Sequence, residues 1–227
     1  MSEKIKAVIF DVDGVLLDSM GPLSEMPADF LRTKGIEPKP DLGEQLFHRT
    51  NLMGATYIVE DYKLKLDPET LAQEMIDYQA KNYIENMMPK PGVEETLEFL
   101  QKNNIPMLIA TSNERIMVEG ALERLGLLTY FEGVLTSPEV GSSKENPEIF
   151  YEAIKILDVP KENALLFEDG IHAIKTANEM ELAVVGVYDE TSKNKQTEVK
   201  KLADQYVTDL AEWLQSDNAK NLTIPRR

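Results

Sequence analysis

The chain has 227 residues, of which 42% are hydrophobic and 28% charged, and it contains no Cys. This composition is typical of a globular protein and excludes a disordered, collagen-like or disulfide-stabilised chain. The net charge of −16 would repel phosphate backbones and anionic lipid, so that neither a nucleic acid nor a membrane is expected as a partner.

The start of the chain gives no sign of a signal peptide. Its first apolar run, residues 7–10, is short and is followed at once by Asp11 and Asp13. No segment approaches the roughly 18 consecutive apolar residues that a membrane span needs. Since Cys is also absent, which fits a reducing compartment, we expect a cytoplasmic protein.

Apolar runs of strand length recur along most of the chain, and helical patterns lie between them. One helical stripe contains Val118, Leu122 and Leu125 and stops at Gly126, a residue that favours the left-handed end of a helix. Alternation of this kind predicts an α/β fold with a doubly wound, mostly parallel Rossmann-like sheet. The strand-like runs cover residues 5–10, 107–110, 133–136, 164–167 and 182–188.

The alternation is interrupted after the first strand, where helical periodicity dominates up to about residue 88. The clearest helix begins at Asp67 and Pro68, an N-cap followed by Pro at the first helical position. A segment rich in Pro and Gly, residues 88–92, follows the helical region. We therefore predict an all-helical domain of residues 17–88 inserted into an α/β domain of residues 1–16 and 89–227.

Acidic side chains follow two of the predicted strands. Asp11 and Asp13 come directly after the first strand, with Gly14 behind them, and Glu168 and Asp169 follow the fourth. Open α/β sheets bind ligands at the carboxyl ends of their strands. Two acids at this spacing can divide nucleophilic attack and proton exchange between them, and adjacent acids can hold a hard cation such as Mg²⁺.

Two further segments could hold an anion. Thr111, Ser112 and Asn113 lie between the second strand and a helix, where hydroxyl and backbone N–H groups are available. Lys144 lies in a polar loop before another helix and would add a positive charge. Taken singly, the segments have ordinary interpretations as turn acids, a helix N-cap and a surface lysine. Four of them in this order indicate one shared ligand site.

These four segments, residues 10–19, 110–113, 144–150 and 167–170, together resemble the ordered motifs of the haloacid dehalogenase superfamily. More narrowly, the chain resembles the branch of phosphatases and β-phosphoglucomutases, whose helical cap lies between the first and second motifs. The resemblance implies that residues 17–88 are such a cap. It also implies that Asp11 is the nucleophile, which forms an aspartyl-phosphate, and that Asp13 is the general acid and then the general base.

Mg²⁺ is the cofactor that the resemblance implies. Its ligands would be the Asp11 carboxylate, the Asp13 backbone carbonyl and Asp169, with Glu168 reaching the ion through water. Such groups make sense because phosphoryl transfer develops charge that fixed positive potential can stabilise. The phosphoryl oxygens would be held by Thr111, the Ser112 amide and Lys144.

The cap is expected to decide which leaving group is accepted, because it closes over the site and excludes water. Arg49 could pair with a second anionic group of the substrate, and His48 or Asn51 could form a hydrogen bond with a sugar hydroxyl. A solvated cap surface is the alternative for these residues. In the core, Asn113 is the further candidate for a substrate contact.

The predicted function is that of a monomeric, Mg²⁺-dependent phosphatase acting on a small phosphorylated metabolite, with a sugar phosphate favoured. The alternative enzyme is a phosphomutase, but Leu23 stands where β-phosphoglucomutases usually carry a cap His. A non-enzyme alternative is a receiver-like or phosphate-binding regulatory protein. The large insertion and Asp13 argue against a receiver, and the complete set of catalytic groups argues against a protein that only binds phosphate.

Overall fold

The computed structural model describes residues 3–46 and 49–225. Within these residues one parallel sheet of six strands has the order β3-β2-β1-β4-β5-β6. The chain runs from β1 outward to β3 on one side and from β4 to β6 on the other, so the predicted doubly wound fold is confirmed. The strands are β1 (Ala7–Phe10), β2 (Met107–Thr111), β3 (Val134–Thr136), β4 (Ala164–Glu168), β5 (Ala183–Val187) and β6 (Gln205–Val207).

The described residues also contain twelve α-helices and three short 3₁₀ helices. None of these helices has the length and apolar character that crossing a membrane requires. The α-helices are α1 (Met20–Thr33), α2 (Leu42–Leu46), α3 (Asn51–Asp61), α4 (Pro68–Asn86), α5 (Val93–Lys102), α6 (Arg115–Arg124), α7 (Ser137–Val140), α8 (Glu148–Leu157), α9 (Ile171–Glu179), α10 (Gln196–Leu202), α11 (Leu210–Gln215) and α12 (Asp217–Asn221). The 3₁₀ helices are Leu128–Tyr130, Lys161–Asn163 and Glu190–Lys195.

Helices bury both faces of the sheet. Successive side chains of a strand point to opposite sides, so each strand contributes to both faces. Val8 and Phe10 belong to one hydrophobic cluster, which α5, α6 and α11 cover. Ala7 and Ile9 belong to the other, which α8, α9 and α10 cover. In the first cluster Trp213 packs edge-on against Phe167 of β4, with ring centroids 5.1 Å apart. The result is a three-layer arrangement with the strand ends free to carry polar groups.

Helices α1 to α4 form the insertion after β1 and have a hydrophobic cluster of their own, which includes Phe30, Ile58 and Leu71. Helix α4 begins as predicted, because the side chain of its N-cap Asp67 accepts a hydrogen bond from the backbone N–H of Thr70. Helical packing around a separate cluster is what the sequence pattern of this region indicates.

The chain enters and leaves the insertion through two adjacent segments. The backbone N–H of Asp18 donates to the carbonyl of Met88, and that of Lys90 donates to the carbonyl of Leu16, each at 2.9 Å. Helix α4 reaches past the insertion's own cluster, since its Tyr83 packs in the first cluster of the sheet. The division into domains at residues 17 and 88 stays a prediction.

Candidate active site

The carboxyl ends of three neighbouring strands bring the predicted motifs together. Asp11 follows β1, Thr111 ends β2 and Glu168 ends β4, and β1 lies between the other two strands. This is the point at which the order of the sheet reverses, where α/β proteins bind ligands. Parallel register thus places residues that are more than 150 positions apart in sequence at one edge of the sheet.

Lys144 is the centre of a buried network of charges. Its side-chain amine, only 8% exposed, donates hydrogen bonds to Asp11 and, at 2.9 Å, to Glu168. Burial opposes the positive charge, but the two carboxylates outweigh it and raise the pKa of Lys144 above its usual value. Lys144 therefore carries a fixed positive charge beside the Asp11 carboxylate.

Asp11, Glu168 and Asp169 form an acidic cluster in which each residue offers a carboxylate oxygen within 4.8 Å of the others. Burial and the neighbouring Glu168 raise the pKa of Asp11 to about 8, although Lys144 opposes the shift. Burial and the carboxylates of Glu168, Asp11 and Asp189 also raise the pKa of Asp169 well above its usual value. With Lys144 as the partner, the cluster has two excess negative charges when all groups are ionised.

A divalent cation fits this acidic cluster, because it would balance the excess charge with the oxygen ligands that hard cations prefer. Glu168 is the least available of the three ligands. Its Oε1 accepts from the backbone N–H groups of Asp169 and Gly170, at 3.2 and 2.9 Å, and its Oε2 accepts from Lys144. Asp11 and Asp169 are thus the better candidates for direct contacts with the ion.

Gly14 is required by the turn that follows the two first-motif acids. Its φ angle is +82°, and a Cβ atom there would lie 2.7 Å from Oδ2 of Asp169. The side-chain amine of Lys90 donates to the Gly14 carbonyl at 2.8 Å and to the Tyr188 carbonyl at 2.6 Å, and it lies 3.5 Å from Asp189. Sequence reasoning missed Lys90, because it lies in a Pro-rich segment that resembles an ordinary linker.

Asp13 lies beside the acidic cluster but has partners of its own. Its Oδ1 accepts from the hydroxyls of Ser19 at 2.5 Å and Tyr83 at 2.7 Å, and its Oδ2 accepts from the Asn113 side-chain amide at 3.0 Å. Burial and the Asp13 carboxylate raise the pKa of Tyr83 above its usual range. Asn113, predicted as a substrate contact, therefore contacts a catalytic candidate in this structure.

The sequence contained no signal for Tyr83 or for a role of Ser19. Tyr83 occupies one of the apolar positions of α4. Its hydroxyl donates a hydrogen bond to Asp13, which lies 70 positions away in sequence. Ser19 falls inside the first motif, but its residue type alone does not distinguish a cap residue of a helix from a partner of Asp13.

A cavity of about 310 Å³ opens onto these groups. Asp11, Asp13, Ser112, Lys144 and Asp169 are among its lining residues, so the structure brings most of the predicted catalytic residues to one space. Its described lining also includes Met20, Ser143, Glu145, Glu168, Gly170, His172 and Ala173.

Thr111 is fully buried and is not among the described residues that line this cavity. Its hydroxyl oxygen accepts from the backbone N–H of Asn113 at 3.1 Å, so it shapes the turn after β2. Ser112, the next residue, reaches the cavity and lies 3.5 Å, hydroxyl to hydroxyl, from Ser137. A phosphate-binding role for Thr111 and Ser112 stays a prediction.

The cap residues named from the sequence lie elsewhere. Arg49 and Asn51 line a second cavity, of about 290 Å³, within the insertion, together with Leu23. The guanidinium of Arg49 also lies over the ring of Tyr57, 4.7 Å from its centroid. No lining residue is shared with the Asp11 cavity among the residues described. His48 lies outside the described residues, and the substrate role of all three residues stays a prediction.

The chain is thus a doubly wound α/β protein with a helical insertion after β1 and a buried cluster of carboxylates and one lysine at the point where the order of the sheet reverses. The family model for haloacid dehalogenase-like hydrolases matches residues 5–180. The chain belongs to this family, and both the predicted superfamily and the prediction of a hydrolase are confirmed.

Similar proteins agree with this placement. The phosphorylated carbohydrates phosphatase of Thermotoga maritima is 29% identical over 176 residues, which are 76% of this chain and 82% of the relative. A Bacillus subtilis protein provisionally named as a phosphatase, YhcW, is 31% identical over 74% of this chain and 76% of its own. A solved structure from T. maritima, provisionally assigned as a β-phosphoglucomutase, has 26% identity and a TM-score of 0.80, covering 92% of this chain and 97% of that one. These relatives confirm the predicted branch of the superfamily.

Proposed function

We propose that the protein is a Mg²⁺-dependent phosphatase that hydrolyses a small phosphorylated metabolite, a sugar phosphate, through an aspartyl-phosphate on Asp11. The observation that carries the proposal is the buried contact of Lys144 with Asp11, beside two further carboxylates that could hold a cation. The name of the T. maritima relative, a phosphorylated carbohydrates phosphatase, supports the substrate class.

In the proposed reaction, a carboxylate oxygen of Asp11 attacks phosphorus while the bond to the leaving oxygen breaks. Asp13 gives a proton to that oxygen and then takes one from the water that attacks the aspartyl-phosphate, which releases phosphate and restores both residues. Lys144 holds positive charge beside the transferring group throughout. Proton balance is kept because Asp13 is protonated before the first step and again after the second.

Asp11, Asp169 and the Asp13 backbone carbonyl would hold Mg²⁺, with Glu168 reaching it through water. The ion would supply neutralising charge and orientation to the phosphoryl oxygens. The remaining positive potential would come from Lys144 and from backbone N–H groups of the turn after β2, among them the N–H of Ser112.

A phosphomutase is the second candidate, favoured by the likeness to the structure assigned provisionally as a β-phosphoglucomutase. Leu23 supports hydrolysis instead, because it offers no proton-transfer group where mutases carry His. Leu23 lines the cavity within the insertion. A receiver-like or purely phosphate-binding protein is not favoured, since the chain belongs to a hydrolase family.

The proposal describes a protein that works as a monomer in the cytoplasm. A single chain supplies every proposed catalytic group, so that activity does not need a second copy, and a chain without Cys fits a reducing compartment. The net charge of −16 supports a small phosphorylated metabolite, rather than a nucleic acid or a membrane surface, as the partner.

The proposal is tested by release of inorganic phosphate from a panel of sugar phosphates and p-nitrophenyl phosphate, with MgCl₂ or with EDTA. We expect turnover that needs Mg²⁺ and is lost in Asp11→Asn. Asp77→Asn, at an exposed site on α4, is the matched control and should keep full activity. No Mg²⁺-dependent release from any ester, or full activity in Asp11→Asn, would refute the phosphatase. Conversion of a sugar phosphate to its isomer without net phosphate release would support the mutase.

A further inference from the structure

The carboxylate of Asp13 is held asymmetrically by its neighbours. Oδ1 accepts hydrogen bonds from two hydroxyls, those of Ser19 and Tyr83, at 2.5 and 2.7 Å. Among the described residues, Oδ2 accepts one side-chain hydrogen bond, from the Asn113 amide at 3.0 Å. Two donors fill the two lone pairs of a carboxyl oxygen. The oxygen left for an exchangeable proton is therefore Oδ2.

Tyr83 reaches Asp13 from a part of α4 that is anchored to the α/β core. Its side chain is 0% exposed and packs in the hydrophobic cluster of the sheet. Directly after it, the carbonyls of Ile84 and Met87 accept hydrogen bonds from the Arg124 guanidinium of α6. Helix α6 lies so close that a Cβ at Gly120 would be 2.9 Å from Cγ1 of Ile84. The packing therefore fixes the position of the Tyr83 hydroxyl relative to the core.

The other half of α4 belongs to the insertion. Leu71 and Ala72 pack in the insertion's own cluster, with Phe30 and Ile58. One helix thus connects the part that would cover a substrate to the residue that contacts Asp13. The end of α4 that carries Tyr83 is the end that packs against the α/β core.

We propose that Tyr83 is a positioning residue for proton transfer by Asp13, an inference that rests on the proposed function. With Ser19, its hydroxyl occupies Oδ1 and keeps the carboxyl group turned so that Oδ2 faces the leaving oxygen. When the bond from phosphorus to that oxygen breaks and the bond to Asp11 forms, the proton on Oδ2 passes to the leaving oxygen. In the second step Oδ2 takes a proton from the attacking water. Tyr83 keeps its own proton throughout.

The dependence on the leaving group distinguishes this role from a structural one. p-Nitrophenolate leaves without a proton, whereas the more basic phenolate needs one, so that only phenyl phosphate depends strongly on Asp13 as an acid. We expect Tyr83→Phe to lower kcat/KM for phenyl phosphate about tenfold, a fraction of the 10²–10⁴ that general acids contribute, and for p-nitrophenyl phosphate by less than about threefold. The parameter kcat/KM is used because it reports phosphoryl transfer to Asp11 and excludes the later attack of water.

The controls separate the two proposals. Tyr206→Phe removes a tyrosine hydroxyl that donates to Gln196 at 2.8 Å, where neither residue is among the described residues that line the Asp11 cavity, and it should leave the ratio of the two substrates unchanged. If the wild-type protein shows no Asp11-dependent hydrolysis, the phosphatase and the role of Tyr83 are both refuted. If it hydrolyses both esters but Tyr83→Phe lowers both equally, or neither, only the role of Tyr83 is refuted.

Ser19→Ala keeps the proposal testable if Tyr83→Phe does not fold. This variant removes the other hydroxyl from the same oxygen of Asp13, and it should produce the same selective loss with phenyl phosphate. Equal losses with both esters in Ser19→Ala would overturn the assignment of Oδ2 as the oxygen that carries the proton.

Discussion

The acidic cluster predicts that Mg²⁺ and protons compete for the same site. Burial and Glu168 raise the pKa of Asp11 to about 8, so that about 1% of this group is ionised at pH 6 and about half at pH 8. If one proton must leave before the ion binds, Mg²⁺ affinity should rise about 50-fold between these pH values. The raised pKa of Asp169 acts in the same direction.

This change in affinity is large enough to measure as thermal stability. At Mg²⁺ concentrations well above both dissociation constants, a 50-fold difference in affinity corresponds to about 2.3 kcal/mol of additional stabilisation. For a chain of this size that is about 5–9 °C in Tm. The assay is a thermal melt with MgCl₂ or EDTA at pH 6 and pH 8, together with direct titration of the ion by calorimetry.

Asp169→Asn should lose most of the Mg²⁺-induced shift at both pH values, whereas Asp77→Asn should keep it. A Mg²⁺ affinity that is equal at the two pH values, or stronger at pH 6, would refute the reasoning. A full shift in Asp169→Asn would show that the ion binds at a different site.

The metal-free protein should show the opposite dependence on pH. The folded pKa of Asp11 lies above its unfolded value of 3.8, so the folded chain keeps a proton that the unfolded chain loses. Stability is therefore complete at low pH and is lost as the pH rises toward about 8, by about 1.4 kcal/mol per pH unit for this proton. The raised pKa of Asp169 adds to the slope in the same direction. Urea unfolding in EDTA measures the slope, and a free energy of unfolding that rises over this range would contradict it.

Three substitutions test the contacts that support the site. Gly14→Ala should lower turnover about 100-fold or more, because its Cβ would lie 2.7 Å from a carboxylate oxygen of the acidic cluster. The control is Gly35→Ala, where φ is also positive, at +72°, but an added Cβ would meet no neighbouring atom within 4 Å. This control should lose only about 1–2 kcal/mol of stability and keep full turnover. Lys90→Met should lower phosphate release by about 10–100-fold, and unchanged release would exclude a role in holding the Gly14 turn. Gly120→Val should lower the free energy of unfolding in urea by about 1–3 kcal/mol, because α6 packs against Ile84; an unchanged value would show that α4 is not anchored there.

The sequence predicts the buried strands of the sheet better than its edge strand β6. Apolar runs bounded by polar turns predict β1 to β5, because strands buried on both faces consist of apolar residues. The strand β6, Gln205–Val207, was missed, since it lies at the edge of the sheet, only Val207 is fully buried and Gln205 is polar. A strand of this length has too little pattern to be predicted.

In the site, the residues that the sequence identified were those of the motifs that follow strands or precede helices. Asp11, Lys144 and Asp169 were named from their motifs, and the structure brings them to one cavity. Tyr83 could not be found, because a tyrosine at an apolar helix position is ordinarily a packing residue, and only the tertiary fold shows where its hydroxyl points. Arg49 was named from its charge and from its place in a polar segment of the cap, and neither determines which of two cavities a side chain lines.

The acidic cluster affects how the site could bind a phosphate monoester. A phosphate monoester carries negative charge into a pocket where three carboxylates face one lysine, Lys144. Two unit charges 4 Å apart repel by about 4 kcal/mol at the effective dielectric constant of a site near the surface, so the ionised acidic cluster without a cation would exclude its proposed substrate. In the proposed function, the groups that make the site acidic would therefore also make it dependent on a divalent ion. Lys144 alone cannot reverse the sign of the potential, because it already compensates part of the charge of Asp11 and Glu168.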